Sequence, residues 1–339
     1  MANILVSRFS ALGDVAMTIS VIKSFADIYP DHHITLMSRP FIAPLLENMP
    51  SNVHFRPVDL NNYKGLGGLR RLSRQLIGEG YDMLADMHDV LRTKVIRYYF
   101  KRAHKPIAVI DKGRKERKLI TRAKNKQLHP LTPSPQRYAD VLTKLGFPIT
   151  LKPHHIYGNQ SADISDIKPI VGEKNDNAWI GIAPFAAHEG KIYPLPMMKQ
   201  VINLFADNDN VKIFLFGSGP KEKEWCESIT QQNVVSMVGK TNLQKELRLM
   251  THLNVMLTMD SANMHLSSLV GTPVVSIWGA THPLAGFTGL QPNGSKIIQQ
   301  DLDCRPCSIY GNKKCRKGNY PCMTTITPLS IANIIKQYI

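Results

Sequence analysis

The chain has 339 residues, 43% of them hydrophobic and 20% charged, and a formal net charge of +16. That length buries two ordinary cores, so two domains of about 150 residues are expected. No apolar run approaches the roughly 20 residues that span a bilayer, and the N-terminus enters a strand with no basic, apolar and cleavage-site succession, so no secretory signal is read and the cytoplasm is the expected compartment.

In chain order, residues 1–155 alternate between strands and helices. Ile4–Val6, Ile34–Met37, Met83–Ala85 and Ile107–Ile110 read as strands, with helices near 15–28, 66–79, 88–101 and 135–145. The first strand runs into Arg8-Phe9-Ser10-Ala11-Leu12-Gly13-Asp14-Val15, which turns into an amphipathic helix carrying Val21, Ile22 and Phe25. A Gly-Asp pair thus lies just past a strand's carboxyl end, where open α/β sheets collect ligands. Asp14 there either caps its helix or serves as a general base. The polar stretch 158–177 reads as a linker.

The same plan restarts at Trp179–Ala183, with strands near 211–216, 234–237, 254–258 and 273–277 and helices near 196–207, 220–231, 243–250 and 262–269. Within it, Met259-Asp260-Ser261-Ala262-Asn263-Met264-His265-Leu266 is a small-residue turn opening a helix ahead of the buried strand of Val274, Val275 and Ile277. Free backbone N–H groups and the positive end of a helix dipole can hold an anion there, the place for a nucleotide diphosphate. The structural alternative is an ordinary helix with Ser261 as its N-cap and Met264 and Leu266 in the core. A last helix is expected over about 327–338, after Thr327-Pro328.

Charge is concentrated. Residues 64–126 hold eighteen Lys and Arg against six Asp and Glu. Runs such as Lys112–Lys118 and Lys101–Lys105 attract phosphorylated lipid headgroups, nucleic acid or any polyanion, unless they form a solvated face kept for solubility. Cys304-x2-Cys307-x7-Cys315-x6-Cys322 opens with metal-ligand spacing, but its second pair is wider than a zinc ribbon prefers. A structural zinc and a cluster of reduced thiols both remain open, a cytosolic setting disfavours disulfides, and Cys226 reads as a small core residue. The paired histidines His32-His33 and His154-His155 read as exposed loop residues.

These segments resemble the bacterial family 9 glycosyltransferases, best known as ADP-heptose:lipopolysaccharide heptosyltransferases. Arg8-x-Ser10-x-Leu12-Gly13-Asp14 is similar to that family's N-terminal motif. Asp260-Ser261-x-x-Met264-His265-Leu266, with Gly271-Thr272-Pro273, Gly279-x-Thr281 and Pro283, is similar to its C-terminal donor motif. Tyr81-Asp82 through Asp86 and Leu91-Arg92, the loop Gly190-Lys191-Ile192-Tyr193-Pro194, and Phe216–Glu222 also match in order, and four cysteines like those from 304 to 322 occur in many relatives. Ala262 stands where the family usually has Gly, Asn263 where it often has Pro, and Tyr193 where Trp is usual.

The resemblance implies a GT-B architecture: an N-terminal Rossmann-like acceptor domain over 1–157 and a C-terminal nucleotide-sugar domain over 178–326, across a cleft. The helix 327–339 then packs back on the first domain, and the loop 301–323 shapes or charges the cleft rim. It implies metal-independent, inverting transfer of a sugar, heptose from ADP-heptose being the first choice, to a lipopolysaccharide-core or related glycolipid acceptor. In that scheme Asp14 is the base, while Lys191 and the amides around Ser261, Ala262, Asn263 and Met264 stabilise the leaving diphosphate. Glu222 and Asp260 bind donor hydroxyls, and His265 holds the donor or its turn. Ser10, Gly13, Arg92 and the basic group Arg114, Lys115, Arg117 and Lys118 meet the anionic acceptor at the inner face of the cytoplasmic membrane. No cofactor is implied beyond the donor, structural zinc excepted.

Three other readings stay in view. The same fold can use another nucleotide sugar for a surface glycan. A Rossmann dehydrogenase needs Gly-x-Gly-x-x-Gly after its first strand, which is missing. A zinc-bearing nucleic-acid-binding protein would account for the cysteines and the charge, but not for Arg8–Asp14 or Asp260–His265.

Overall fold

The computed structural model describes residues 1–206 and 208–339. Two compact units emerge: Met1–Lys112 with Thr132–Ile156, and Gly113–Leu131 with Tyr157–Ile339. The first contains β1 (Asn3–Ser7), α1 (Leu12–Ile28), β2 (His33–Ser38), β3 (Val53–Pro57), α2 (Gly65–Gly78), β4 (Met83–Asp86), α3 (Leu91–Arg102) and β5 (Ile107–Val109). After α4 (Arg114–Ile120), which belongs to the second unit, α5 (Ser134–Lys144) completes it. Its sheet is parallel throughout, in the order β3-β2-β1-β4-β5.

Parallel strands covered on both faces read as unbroken apolar runs, and Ile4, Leu5 and Val6 are all fully buried. α1 is apolar almost all round for the same reason: Val15, Ile19 and Ile22 have no exposed surface. No sequence pattern marks β3. It is an edge strand carrying His54 and Arg56, and its partial burial gives no apolar run.

The second unit contains α6 (Lys168–Val171), β6 (Ala178–Ala183), α7 (Leu195–Asn203), β7 (Val211–Leu215), α8 (Pro220–Glu227), β8 (Val234–Ser236) and α9 (Leu243–Met250). It continues with β9 (Val255–Met259), α10 (Ala262–Leu269), β10 (Val274–Trp278), β11 (Lys296–Gln299), α11 (Pro321–Thr324) and α12 (Pro328–Ile335). The expected helix over 196–207 ends at Asn203, and Asp207 lies outside the described residues. This sheet is also parallel, ordered β11-β10-β9-β6-β7-β8. In each unit the chain adds strands on one side of the first strand and then crosses to the other. The topological switch falls between β1 and β4 in the first unit and between β6 and β9 in the second. Side chains at those strand ends overhang a crevice suited to ligands.

Three expectations about organisation need correcting. Residues 113–131 belong with the second unit, because Ile120 and Leu131 bury against Ala285, with Phe287 and Ile309 packed alongside. The Leu131 amide also donates to the Leu284 carbonyl at 2.8 Å. The polar stretch 158–177 is part of the second unit rather than a free linker: Ile164, Ile167 and Val171 are buried, and the Ala162 amide donates to Thr251 Oγ1 at 2.9 Å. Finally, the last helix, expected to pack on the first domain, is α12 of the second unit. Ile331, Ala332 and Ile335 join the second unit's core, and the helix packs on α7.

Candidate functional site

In the first unit the switch point is built by the turns after β1 and β4, whose last residues, Ser7 and Asp86, are paired in register. Asp86 is fully buried and accepts from Ser7 Oγ at 3.1 Å and from the His88 and Asp89 amides at 3.0 Å each. Arg97 Nε lies 3.4 Å from its other oxygen. A buried carboxylate persists only with such partners, so Asp86 fixes the turn that presents His88 and Arg92. Neither His88 nor Arg97 stood out in the sequence, because their roles depend on the register of β4 beside β1.

Asp14 sits in the first turn of α1, three residues past its N-cap, Ala11. Its Oδ2 accepts from the Ala11 amide at 3.2 Å and lies 2.5 Å from Arg8 Nη2. Its Oδ1 has the Tyr138 hydroxyl at 3.5 Å, and the side chain is 28% exposed. Arg8 is itself buried, donates to the Met87 carbonyl at 2.7 Å and lies over the Tyr138 ring. One carboxylate oxygen is therefore fastened and the other is only lightly engaged, so capping and base chemistry are compatible in this side chain.

Ser10 Oγ is 3.3 Å from His88 Nε2, while His88 Nδ1 faces the Phe9 amide at 3.5 Å. An accepting Nδ1 puts the ring proton on Nε2, which donates to Ser10. Burial, and after it the Arg8 charge, pushes the His88 pKa down to about 4. Gly13 is buried in α1. Arg92 lies 5.9 Å from the Phe9 ring centroid and, with Leu60 and Lys64, lines two adjoining cavities of about 630 and 430 Å³.

In the second unit, the turn after β6 carries Lys191 and the turn after β9 carries Asp260. Their side chains pair at 2.8 Å. Asp260 is 3% exposed, so its carboxylate acts as the counter-ion that holds Lys191 rather than standing open to a donor hydroxyl. Tyr193 locks the lysine loop: it is fully buried, its hydroxyl donates to the Ile326 carbonyl at 2.6 Å, and burial pushes its pKa up to about 12.

Ser261 occupies the N-cap of α10, but its side chain makes no capping bond, and its hydroxyl is 3.1 Å from Thr258 Oγ1. Ala262, Asn263 and Met264 thus open a helix without a side-chain cap, which leaves first-turn amides for an anion. Met264 is in the core with Val274 and Trp278, and His265 is buried. Glu222 accepts from the Ser218 amide at 2.6 Å and closes the turn after β7 while remaining half-buried.

The residues expected to meet an acceptor are divided. Ser10, Gly13 and Arg92 are in the first unit, whereas Arg114, Lys115, Arg117 and Lys118 are in the second. Arg117 is engaged structurally, 4.6 Å from the Phe287 ring centroid and 3.3 Å from the Tyr310 hydroxyl, while Arg114, Lys115 and Lys118 are exposed. Cys304, Cys307, Cys315 and Cys322 are free thiols, and among the described residues no group of three or more His, Cys, Asp or Glu could hold a metal ion. Asp301-Leu302-Asp303 has the spacing of a metal-binding pair, and both residues are exposed.

The paired histidines are more engaged than expected: His32 Nδ1 accepts from the Ala2 amide at 3.1 Å, and His33 Nδ1 is 3.0 Å from His54 Nε2. Burial lowers His154 and His282, like His88, to about 4. A histidine whose folded pKa lies below its unfolded value contributes stability above the unfolded pKa, and that stability is lost as pH falls toward the folded one. Stability should hold above about pH 6.5 and decline between about 6.5 and 4. Urea midpoints that stay flat through this window would contradict the burial of these rings.

Comparison with known proteins follows the same lines. The model of glycosyltransferase family 9 (heptosyltransferase) matches residues 69–320. A lipooligosaccharide heptosyltransferase 2 of Haemophilus influenzae is 26% identical over 300 residues, 83% of this chain and 84% of the relative. Among solved structures, a family 9 glycosyltransferase from Veillonella parvula DSM 2008 superposes with a TM-score of 0.78 at 18% identity, covering 99% of this chain and 97% of the other. An E. coli ADP-heptose lipopolysaccharide heptosyltransferase II gives 0.73 at 20% identity, covering 99% and 98%. The two parallel α/β units thus have the GT-B fold of these enzymes.

Proposed function

The chain belongs to glycosyltransferase family 9, the heptosyltransferase family, and from that premise we propose that it moves heptose from ADP-heptose to a lipopolysaccharide-core or related glycolipid acceptor, with inversion and without a metal. The observation that carries this reading is the pairing of Lys191 with Asp260 beside the uncapped first turn of α10, at the switch point of the second sheet. The sugar is supported by the names of the Haemophilus influenzae relative and the E. coli neighbour.

The chemistry is a single displacement. Asp14 Oδ1 takes the proton of the acceptor hydroxyl as its oxygen attacks the anomeric carbon, while Arg8 and the Ala11 amide hold Oδ2 still. The bond to the diphosphate breaks on the opposite side, which inverts the anomeric centre. The departing negative charge is met by the Lys191 ammonium and the α10 amides, which are already in place and need no reorganisation. Glu222 and the turn it closes lie at the end of β7, where donor hydroxyls can be held. The acceptor is an anionic glycolipid at the inner face of the cytoplasmic membrane, drawn by the basic surface. Among the described residues no helix is long and apolar enough to cross a membrane.

A thermal-shift series with ADP-, GDP-, UDP- and dTDP-sugars tests the donor, because a ligand that binds the native state raises the midpoint. ADP-heptose should give the largest rise, and transfer should survive excess chelator. A larger shift with another sugar nucleotide would reassign the donor, and magnesium-reversible loss of turnover would remove the metal-free mechanism. Loss accompanied by unfolding would point to a structural metal at Cys304, Cys307, Cys315 and Cys322.

The exposed cations of α4 give a separate expectation. Neutralising Arg114, Lys115 and Lys118 together should weaken binding to anionic vesicles and flatten its salt dependence, each charge being worth about 1 kcal/mol at most. Arg117 is left out because its loss would also remove its packing on Phe287. Unchanged vesicle binding in the triple variant would make this face a solvated one.

A further inference from the structure

The cysteine loop contains a group with no place in the mechanism: Arg305, an arginine 2% exposed. Its guanidinium donates to the carbonyls of Gly279, Gln300, Trp278 and Thr281 and to Gln299 Oε1, all of them uncharged oxygens. Desolvating a cation is costly, and here that charge is used to fasten the loop to the strand end of β10. The Cys307 and Ser308 amides then donate to the Ala280 carbonyl at 3.1 and 3.3 Å.

From Ala280 the connection passes to the lysine loop. The Ala280 amide donates to the Gly190 carbonyl at 2.8 Å, and the Gly190 amide donates to the Gly311 carbonyl at 3.2 Å. A Cβ on Gly311, where φ is +76°, would fall 2.7 Å from Lys191 Cγ, and one on Gly190 would fall 2.7 Å from the Gly311 oxygen. The Tyr320 hydroxyl reaches Glu189 Oε2 at 3.3 Å, a further tie between the same two segments. The cysteine loop is therefore the wall against which the stem of Lys191 rests.

We propose that the loop over residues 301–323 is the positioning device for Lys191, with Arg305 as its anchor and Gly311 as its point of contact with the lysine stem. This rests on the reading of Lys191 as the contact to the donor diphosphate. The physical basis is that an ammonium on a flexible four-carbon stem must be held in place if it is to meet a diphosphate without reorganisation.

The test uses the full-length chain with Gly311→Ala, Arg305→Met and Arg305→Lys, each alone and combined with Lys191→Ala, and reads two quantities. The first is ADP affinity by titration. Gly311→Ala and Arg305→Met should each weaken it about tenfold, in the range of typical couplings, and Arg305→Lys should fall between them and the parent. None should weaken it further once Lys191 is Ala, because positions acting through one group are not additive. The second is the acetylation rate of Lys191 followed by mass spectrometry, with exposed Lys199 as the internal control. It should rise several-fold in the Gly311 and Arg305 variants.

Equal losses of ADP affinity in the presence and absence of Lys191, or unchanged Lys191 acetylation, overturn the positioning role and leave a loop that merely completes the fold. If Lys191→Ala itself binds ADP like the parent, the diphosphate reading fails, while the acetylation rates still decide whether the loop holds the lysine. If Arg305→Met does not fold, Gly311→Ala and Arg305→Lys carry both measurements.

Discussion

Replacing Asp14 with Asn should lower turnover by a factor of about 10²–10⁴, the usual contribution of a positioned base, while donor affinity stays close to that of the parent. The amide keeps the shape of the carboxylate and can still accept from the Ala11 amide, so the helix keeps its start. What it loses besides the base is the ion pair at 2.5 Å with Arg8. Arg8 is 8% and Asp14 28% exposed as side chains, so solvent reaches one side of the pair. Its loss should cost about 1 kcal/mol, the upper end for a partly exposed pair, and about 1–2 °C in the midpoint of a chain this size. Kinetics must therefore be measured well below the lowered midpoint. Near-normal turnover in folded Asp14→Asn would reduce Asp14 to the partner of Arg8 and the cap of α1.

The strand-end position of Asp14 could be read from the sequence, because it follows the apolar run Ile4–Val6 of a central strand, whereas Lys191, in the loop beyond β6, enters through the family resemblance alone. The edge strands were harder to see. β3 carries His54 and Arg56, and β11 buries only Ile298, so neither shows the apolar run or the clean alternation that marks a strand. α4 is masked by its own charge, since a single fully buried side chain, Ile120, anchors a helix that apart from Leu119 is written in Arg, Lys and Glu. Its membership of the second unit follows from contacts with Ala285 and Phe287, more than 150 positions away, which no local pattern encodes. The same holds for the Asp86–His88 turn and for Arg305, whose surroundings are assembled from separate strand ends. The expected return of the last helix came from analogy alone, whereas the apolar face of Ile331, Ala332 and Ile335 matched a surface on its own unit.

Lys191→Ala should weaken both donor affinity and turnover, because the ammonium faces the diphosphate before and during bond cleavage. A charge-assisted contact is worth about 1.5–3 kcal/mol, so ADP affinity should fall by about 10- to 100-fold, with turnover falling further as leaving-group charge develops. The substitution has a second consequence. Asp260, 3% exposed, loses the cation that lies 2.8 Å away and becomes an uncompensated carboxylate beside the anion site. Like charges at such separations repel strongly in a poorly solvated site. Part of the loss in Lys191→Ala is therefore repulsion by Asp260 rather than missing attraction by Lys191. The double variant Lys191→Ala/Asp260→Asn should consequently bind ADP several-fold more tightly than Lys191→Ala alone, although less tightly than the parent, and turnover should not recover because the stabilising cation is still missing. Titration of ADP into the parent, the two single variants and the double variant closes this cycle. A double variant that binds no better than Lys191→Ala would show that Asp260 contributes no field at the diphosphate and serves only to shape the turn after β9.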